Sequence, residues 1–149
     1  MNSKMSHSDN FQRLVKLSPV VREVIAFADA ERQLIASPAL TTGHLLLGLM
    51  HLQSPVIKAL HRQRVVLDQT RQLVDTAIQY GVVEQRATGW SRELATFFDV
   101  FSTSIQEDPD VSQEVLLLLQ LVKQPNCISS QILSSLGVTV ESIRQWKIR

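Results

Sequence analysis

A lone cysteine, Cys127, in 149 residues leaves no partner for an internal disulfide. A reducing compartment such as the cytosol therefore suits the chain. Glycine and proline are scarce, five of each, which disfavours a loop-rich chain or a β-sandwich with a turn every few residues. An excess of charge of one sign is missing too. Fifteen Lys and Arg against 14 Asp and Glu leave a formal charge of +1, so no global field draws the chain to nucleic acid or to an anionic membrane. Apolar runs are short: Val115–Leu119 is as long as any, far below the roughly 18 residues of a membrane span. Residues 1–16 lack the apolar core of a secretory signal. These shortages together predict a soluble cytoplasmic protein. The remaining composition, 44% hydrophobic, suffices for the core of one domain of ordinary size.

The apolar pattern has helical period and nowhere alternates in twos, which predicts an all-α fold of about eight helices. Residues 1–16 read as a flexible tail with Phe11, Leu14 and Val15 at its end. Ser18-Pro19 starts a long helix, Ser as cap and Pro at the first helical position. Val21, Val24, Ile25, Ala28, Leu34 and Ile35 mark its inward stripe, and Ser37-Pro38 stops it. Thr41-Thr42 caps a second helix carrying Leu45, Leu46, Leu49 and Met50, and Ser54-Pro55 opens a short third. A fourth, from Leu67, ends at Gly81, read as a left-handed cap. After a linker over 82–89 the order recurs. Ser91, Ser112, the Pro125-Asn126 break and Thr139 open four more helices, and Gly137 closes the third of them. The units are 17–81 and 90–149, a spacing of roughly 70 residues. That exceeds solenoid repeats and predicts two pseudo-symmetric four-helix repeats packed as one compact domain.

No constellation carries catalysis. Gly43 to Gly48 has the glycine spacing of a phosphate loop, but Leu49-Met50 stands where Lys-Ser/Thr is needed, so a core helix is expected. Of His44, His51 and His61, the first two lie two turns apart on one helix face, but no third ligand has sensible spacing, so no metal is expected. His44, near a helix start, reads as a structural hydrogen-bonding residue. Cys127 at a helix start would be stabilised as thiolate but has no base assigned to it, so it reads as structural. Glu107, Asp108 and Asp110 around Pro109 read as a solvated turn rather than a cation loop. Lys58, Arg62, Arg64 and Arg71 form the strongest basic patch, interleaved by Asp68 and Asp75 and read as a solvated surface. Trp90, Phe97, Phe98 and Phe101 are the densest aromatic cluster. They are candidates either for packing between the halves or for lining a peptide groove. No cofactor is implied.

The run Thr42-Gly43-His44-Leu45-Leu46-Leu47-Gly48-Leu49 resembles the signature of the Clp N-terminal repeat, G-T-E-H-[IL]-L-L-G-L. Ser112-Gln113-Glu114-Val115-Leu116-Leu117 resembles a degraded copy, and Ile132 to Gln145 resembles the closing segment of the repeat. The resemblance spans nearly everything after residue 16. It makes Thr42, His44, Leu46, Gly48 and Gly137 structural signature positions. It implies a protein-binding module of the Clp quality-control system that engages Clp ATPase or peptidase subunits, adaptors or clients. Such a module has no ATPase of its own, binds neither nucleic acid nor membrane, and is cytoplasmic or stromal in plastids. It would act as a stand-alone accessory or as the recognition domain of a larger ATPase. A structural subunit of the Clp protease core and a helical nucleic-acid-associated regulator are the other readings. Departures carry their own expectations. The signature Glu is Gly43 in one half and Gln113 in the other, and neither supplies the carboxylate that pairs with phosphoarginine in some family members. The glycine kept as Gly137 is Arg64 in the first half, which predicts a turn of different shape there.

Overall fold

The computed structural model describes residues 18–81, 84–86 and 89–146. The tail 1–16 thus lies outside the described residues. Among the described residues the chain forms eight α-helices and no strand: α1 (Pro19–Ile35), α2 (Thr42–Met50), α3 (Pro55–Arg62), α4 (Leu67–Tyr80), α5 (Arg92–Glu107), α6 (Gln113–Lys123), α7 (Ile128–Ser135) and α8 (Val140–Gln145). None is long and apolar enough to cross a membrane.

Side-chain caps set most of the starts. Ser18, Ser91 and Ser112 each accept the backbone N–H three residues on, which satisfies a donor that the first helical turn leaves orphaned. Thr139 and Ser142 exchange bonds in a capping box. Thr41, not Thr42, caps α2: it accepts the N–H of His44, while the imidazole Nδ1 of His44 accepts the N–H of Thr41 at 2.9 Å.

The ends correct three expectations. Helix α1 stops at Ala36, whose φ of 58° is left-handed, with its N–H returned to Arg32 and Gln33. Gly81, expected to be left-handed, has φ −113° instead. Arg64 does adopt the left-handed region, φ 63°, as Gly137 does at φ 79°. The following residues close the same loop, Val65 N–H to Leu60 O at 3.0 Å and Val138 N–H to Leu133 O at 2.8 Å. The two turns therefore share their shape, and the missing glycine at Arg64 is tolerated at a cost of roughly 1–2 kcal/mol.

Helix α2 is the centre of the fold. All nine of its residues are buried, and it packs against α1, α4, α5, α6 and α7. Gly48 makes the α1 crossing possible, since a Cβ there would stand 2.3 Å from the carbonyl oxygen of Val24. Gly43 does the same for α4 and α7. Its Cβ would meet Ile128 Cγ2 at 2.8 Å and Val74 Cγ1 at 3.0 Å, both on stiff β-branched side chains. Glycine at the signature-Glu position is thus a packing requirement of this chain. The inward stripe of α1 is Val21, Val24, Ala28 and Glu31. Leu34, expected inside, is 71% exposed, because the stripe turns through Glu31 to Ile35 and leaves Leu34 on the outer face.

Candidate functional site

The aromatic cluster lies in the core. Phe97, Phe98 and Phe101 are almost wholly buried. Phe97 meets Phe98 edge-on at 5.5 Å and stacks on Phe101 at 6.1 Å. Half-buried Trp90 tilts over Phe98 at 5.4 Å, and its backbone runs beside Leu40 in an isolated bridge. The three phenylalanines present no open face to a partner. The structure places them where packing between chain segments uses them.

Beneath that cluster the linker carries a residue that sequence reading passed over. Glu84 is 7% exposed. Its carboxylate accepts the N–H of Thr42 at 3.0 Å, the N–H of Ile128 at 2.8 Å, the Ser91 hydroxyl at 2.5 Å and the Thr42 hydroxyl. Thr42 and Ile128 are the first residues of α2 and α7, so one carboxylate sits on the positive ends of two helices. Ser91 is the cap of α5. Glu84 therefore ties three helix starts together, and Thr42 Oγ1 extends the tie by accepting the N–H of Ser129 at 3.1 Å. The linker is stitched further by Leu40 N–H to Gly89 O, Ser91 N–H to Leu40 O and Arg92 N–H to Gln85 O.

A second buried acid, Glu31, is 1% exposed. Arg71 grips it with two bonds, Nε to Oε1 at 2.6 Å and Nη2 to Oε2 at 2.8 Å, a bidentate fork from α4 to α1. His51 Nε2 lies 2.7 Å from Glu31 Oε2, and its ring stacks on Phe27 at 4.7 Å. The hydrogen bond from Arg71 holds the Glu31 carboxyl below its usual range against the opposing effect of burial, and the same pairing raises Arg71. Arg71, half-buried, is thus tied to a buried acid rather than standing free in the basic patch. The exposed members of that patch are Lys58, Arg62 and Arg64. His44 is fully buried. Burial, then the nearby Arg32 charge, pushes its pKa down to about 4, so the ring is neutral at pH 7. Its Nδ1 accepts a hydrogen bond, which puts the proton on Nε2, and that atom has no partner among the described residues. The three histidines are not brought together: His44 is in the core, His51 is on Glu31 and His61 is exposed on α3. No metal-holding group of three ligands occurs among the described residues. Cys127 is buried at the start of α7, with Sγ 3.2 Å from the carbonyl oxygen of Gln124 and the hydroxyls of Ser129 and Ser130 at 3.4 and 3.3 Å.

A large apolar-floored opening lies elsewhere, under the α5–α6 turn. It encloses about 630 Å³ between the start of α3, the outer side of α6 and the end of α8. Val56, Leu116, Leu119, Ile143 and Trp146 line it. Asp108, Asp110 and Glu114 stand beside them, with Arg144 as the single cation of the lining among the described residues. Val111 adds an exposed apolar edge, 39% accessible. A second, more polar depression of about 670 Å³ adjoins it across Pro55 and Glu114 and reaches Glu23, Phe27, His51 and Ser54. Asp108 and Asp110, read as turn residues, are exposed as expected and also form the rim of this groove. The groove had one legible signal, Ile143 and Trp146 one turn apart on the last helix. Its other walls come from remote segments.

Comparison with known proteins finds no family model that matches the chain and no matching curated protein.

Proposed function

We propose that this chain is a non-catalytic protein-binding module of the Clp protein-quality-control system, engaging Clp ATPase or peptidase subunits, or the adaptors and clients they act on. The signature-like run from Thr42 to Leu49 supports the reading, because it forms the buried central helix. The matched turns at Arg64 and Gly137, and Ser18 and Ser91 each opening a long helix, support two copies of one four-helix unit. The single observation that carries the binding role is the open apolar groove between α3, α6 and α8, with three carboxylates in its lining. The absence of the signature Glu at Gly43 and Gln113 keeps phosphoarginine out of the proposal.

The test titrates purified Clp ATPase and Clp peptidase subunits of the source cell against the fluorescently labelled full chain, read by anisotropy. Leu119→Asp, on the groove wall, serves as the matched variant. Saturable binding that Leu119→Asp weakens at least tenfold, with far-UV circular dichroism unchanged, is the expected result. No binding of any Clp subunit, bare or in its adaptor-bound or client-bound form, overturns the Clp assignment. Binding indifferent to Leu119→Asp overturns the groove.

A further inference from the structure

From the make-up of the groove we infer the chemistry of its occupant: an apolar polypeptide segment of a partner protein, flanked by arginine or lysine. The inference rests on the groove being a binding site and deepens that reading. The floor is set by Leu116, Leu119, Ile143 and Trp146, which offer aliphatic and aromatic surface and no buried hydrogen-bonding group that a polar ligand would need. The volume, about 630 Å³, lies within the roughly 300–1,000 Å³ of sites that swallow a small group of large side chains.

Charge then selects among apolar segments. Among the described residues, Asp108, Asp110 and Glu114 line the groove with Arg144 as the one guanidinium beside them. None of the three carboxylates is engaged by a hydrogen bond or an ion pair among the described residues. Glu23, exposed on α1, adds a fourth acid in the adjoining depression, across Glu114. Other acids of the fold are differently placed: Glu31, Glu84, Asp29 and Asp68 are each bonded to partners inside it. Three carboxylates without a partner among the described residues thus stand beside one large apolar-floored opening. An acidic segment entering there meets like charge from three carboxylates, whereas arginine or lysine placed one or two residues from an apolar anchor meets opposite charge. Three basic residues of this chain, Lys58, His61 and Arg62, lie on the exposed side of α3, so a second copy is the competing occupant.

The experiment uses three capped nine-residue peptides of identical leucine and alanine frame, carrying three arginines, three glutamines or three glutamates. Each is titrated against the full chain, with binding read by peptide anisotropy and by Trp146 fluorescence in a Trp90→Phe background. The arginine peptide is expected to bind at least tenfold more tightly than the glutamine peptide, and the glutamate peptide not at all. The arginine affinity should fall several-fold between 50 and 300 mM salt, as charge pairing at a wetted rim requires (a Debye length of about 10 Å at 0.1 M). Glu114→Lys should abolish the preference, while Leu119→Asp should weaken arginine and glutamine peptides alike. Equal binding of the three peptides, or a preference untouched by Glu114→Lys, overturns the inference. So does sedimentation showing a dimer that Glu114→Lys dissociates, since the occupant is then a second copy. Failure here is separable from failure of the Clp assignment: Clp subunits that bind while no peptide does sink only this inference, and peptides that bind while no Clp subunit does sink only the assignment.

Discussion

Removing the Glu84 carboxylate should cost more stability than any other single surface-connected change in the molecule. The side chain accepts two backbone N–H groups, from Thr42 and Ile128, and two hydroxyls, from Ser91 and Thr42. Hydrogen bonds to a charged group are worth about 1.5–3 kcal/mol each, and they do not add. After Glu84→Ala the hydroxyls can rotate to other acceptors. The two N–H groups cannot, because each is fixed at the start of a buried helix. Each orphaned donor then costs about 1–3 kcal/mol, so a loss of about 2–6 kcal/mol follows for the two, a large share of the roughly 5–15 kcal/mol typical of a domain. Glu84→Gln keeps one acceptor oxygen but turns an amide N–H₂ toward donors, and should lose about 2–4 kcal/mol. Urea unfolding followed by circular dichroism reads both values, with the slope against urea unchanged. Acetate at about 100 mM should restore part of the Glu84→Ala loss and leave the parent unmoved, since it binds only a folded state with the vacated position. A loss below about 1 kcal/mol for Glu84→Ala would refute the reasoning, as the carboxylate would then not be the acceptor holding the helix starts.

Three further outcomes follow from the same geometry. His44, with pKa lowered to about 4 in the fold, stays neutral there while the unfolded chain takes up its proton below about 6.5. Stability should therefore fall as pH drops from 6.5 toward 4, by up to about 3 kcal/mol from this residue, and denaturation curves of His44→Gln should show a flatter pH slope across that window. Gly137→Ala adds a Cβ that touches nothing but sits at φ 79°, so it should cost about 1 kcal/mol in thermal or urea unfolding; Arg64→Gly, at the matching turn, should cost nothing or stabilise slightly. Phe98→Asp places a carboxylate at a 1% exposed core position and should abolish cooperative unfolding, whereas Leu34→Asp on the 71% exposed face should change stability by no more than about 0.5 kcal/mol.

Helix starts were legible because their causes are local. Ser18, Ser91, Ser112 and Thr139 cap N–H groups three residues away, within reach of any reading of residue type and spacing. Ends were less so. Gly81 looked like a left-handed stop by identity, yet Ala36, Arg64 and Asn126 take the positive φ angles, because what the following chain must reach decides the turn. The buried acids were illegible for a related reason. Glu84 finds its partners 42 and 44 residues away in sequence, and Glu31 finds Arg71 across 40, so nothing adjacent marks either as internal. Leu34 looked like core on an amphipathic stripe that in fact carries Glu31. The aromatic cluster was visible as a cluster, and its alternatives of packing or groove differ only in burial, which one sequence does not contain. The groove is assembled from α3, the α5–α6 turn, α6 and α8, and no local pattern joins those four segments.

The most direct test of the central claim is the affinity of the labelled full chain for purified Clp ATPase and peptidase subunits, measured beside Leu119→Asp and Glu114→Lys. The account predicts saturable binding to at least one subunit or its adaptor-bound form, weakened at least tenfold by each variant, with melting temperatures unchanged. Binding that ignores both variants, or no binding to any Clp component, would contradict it.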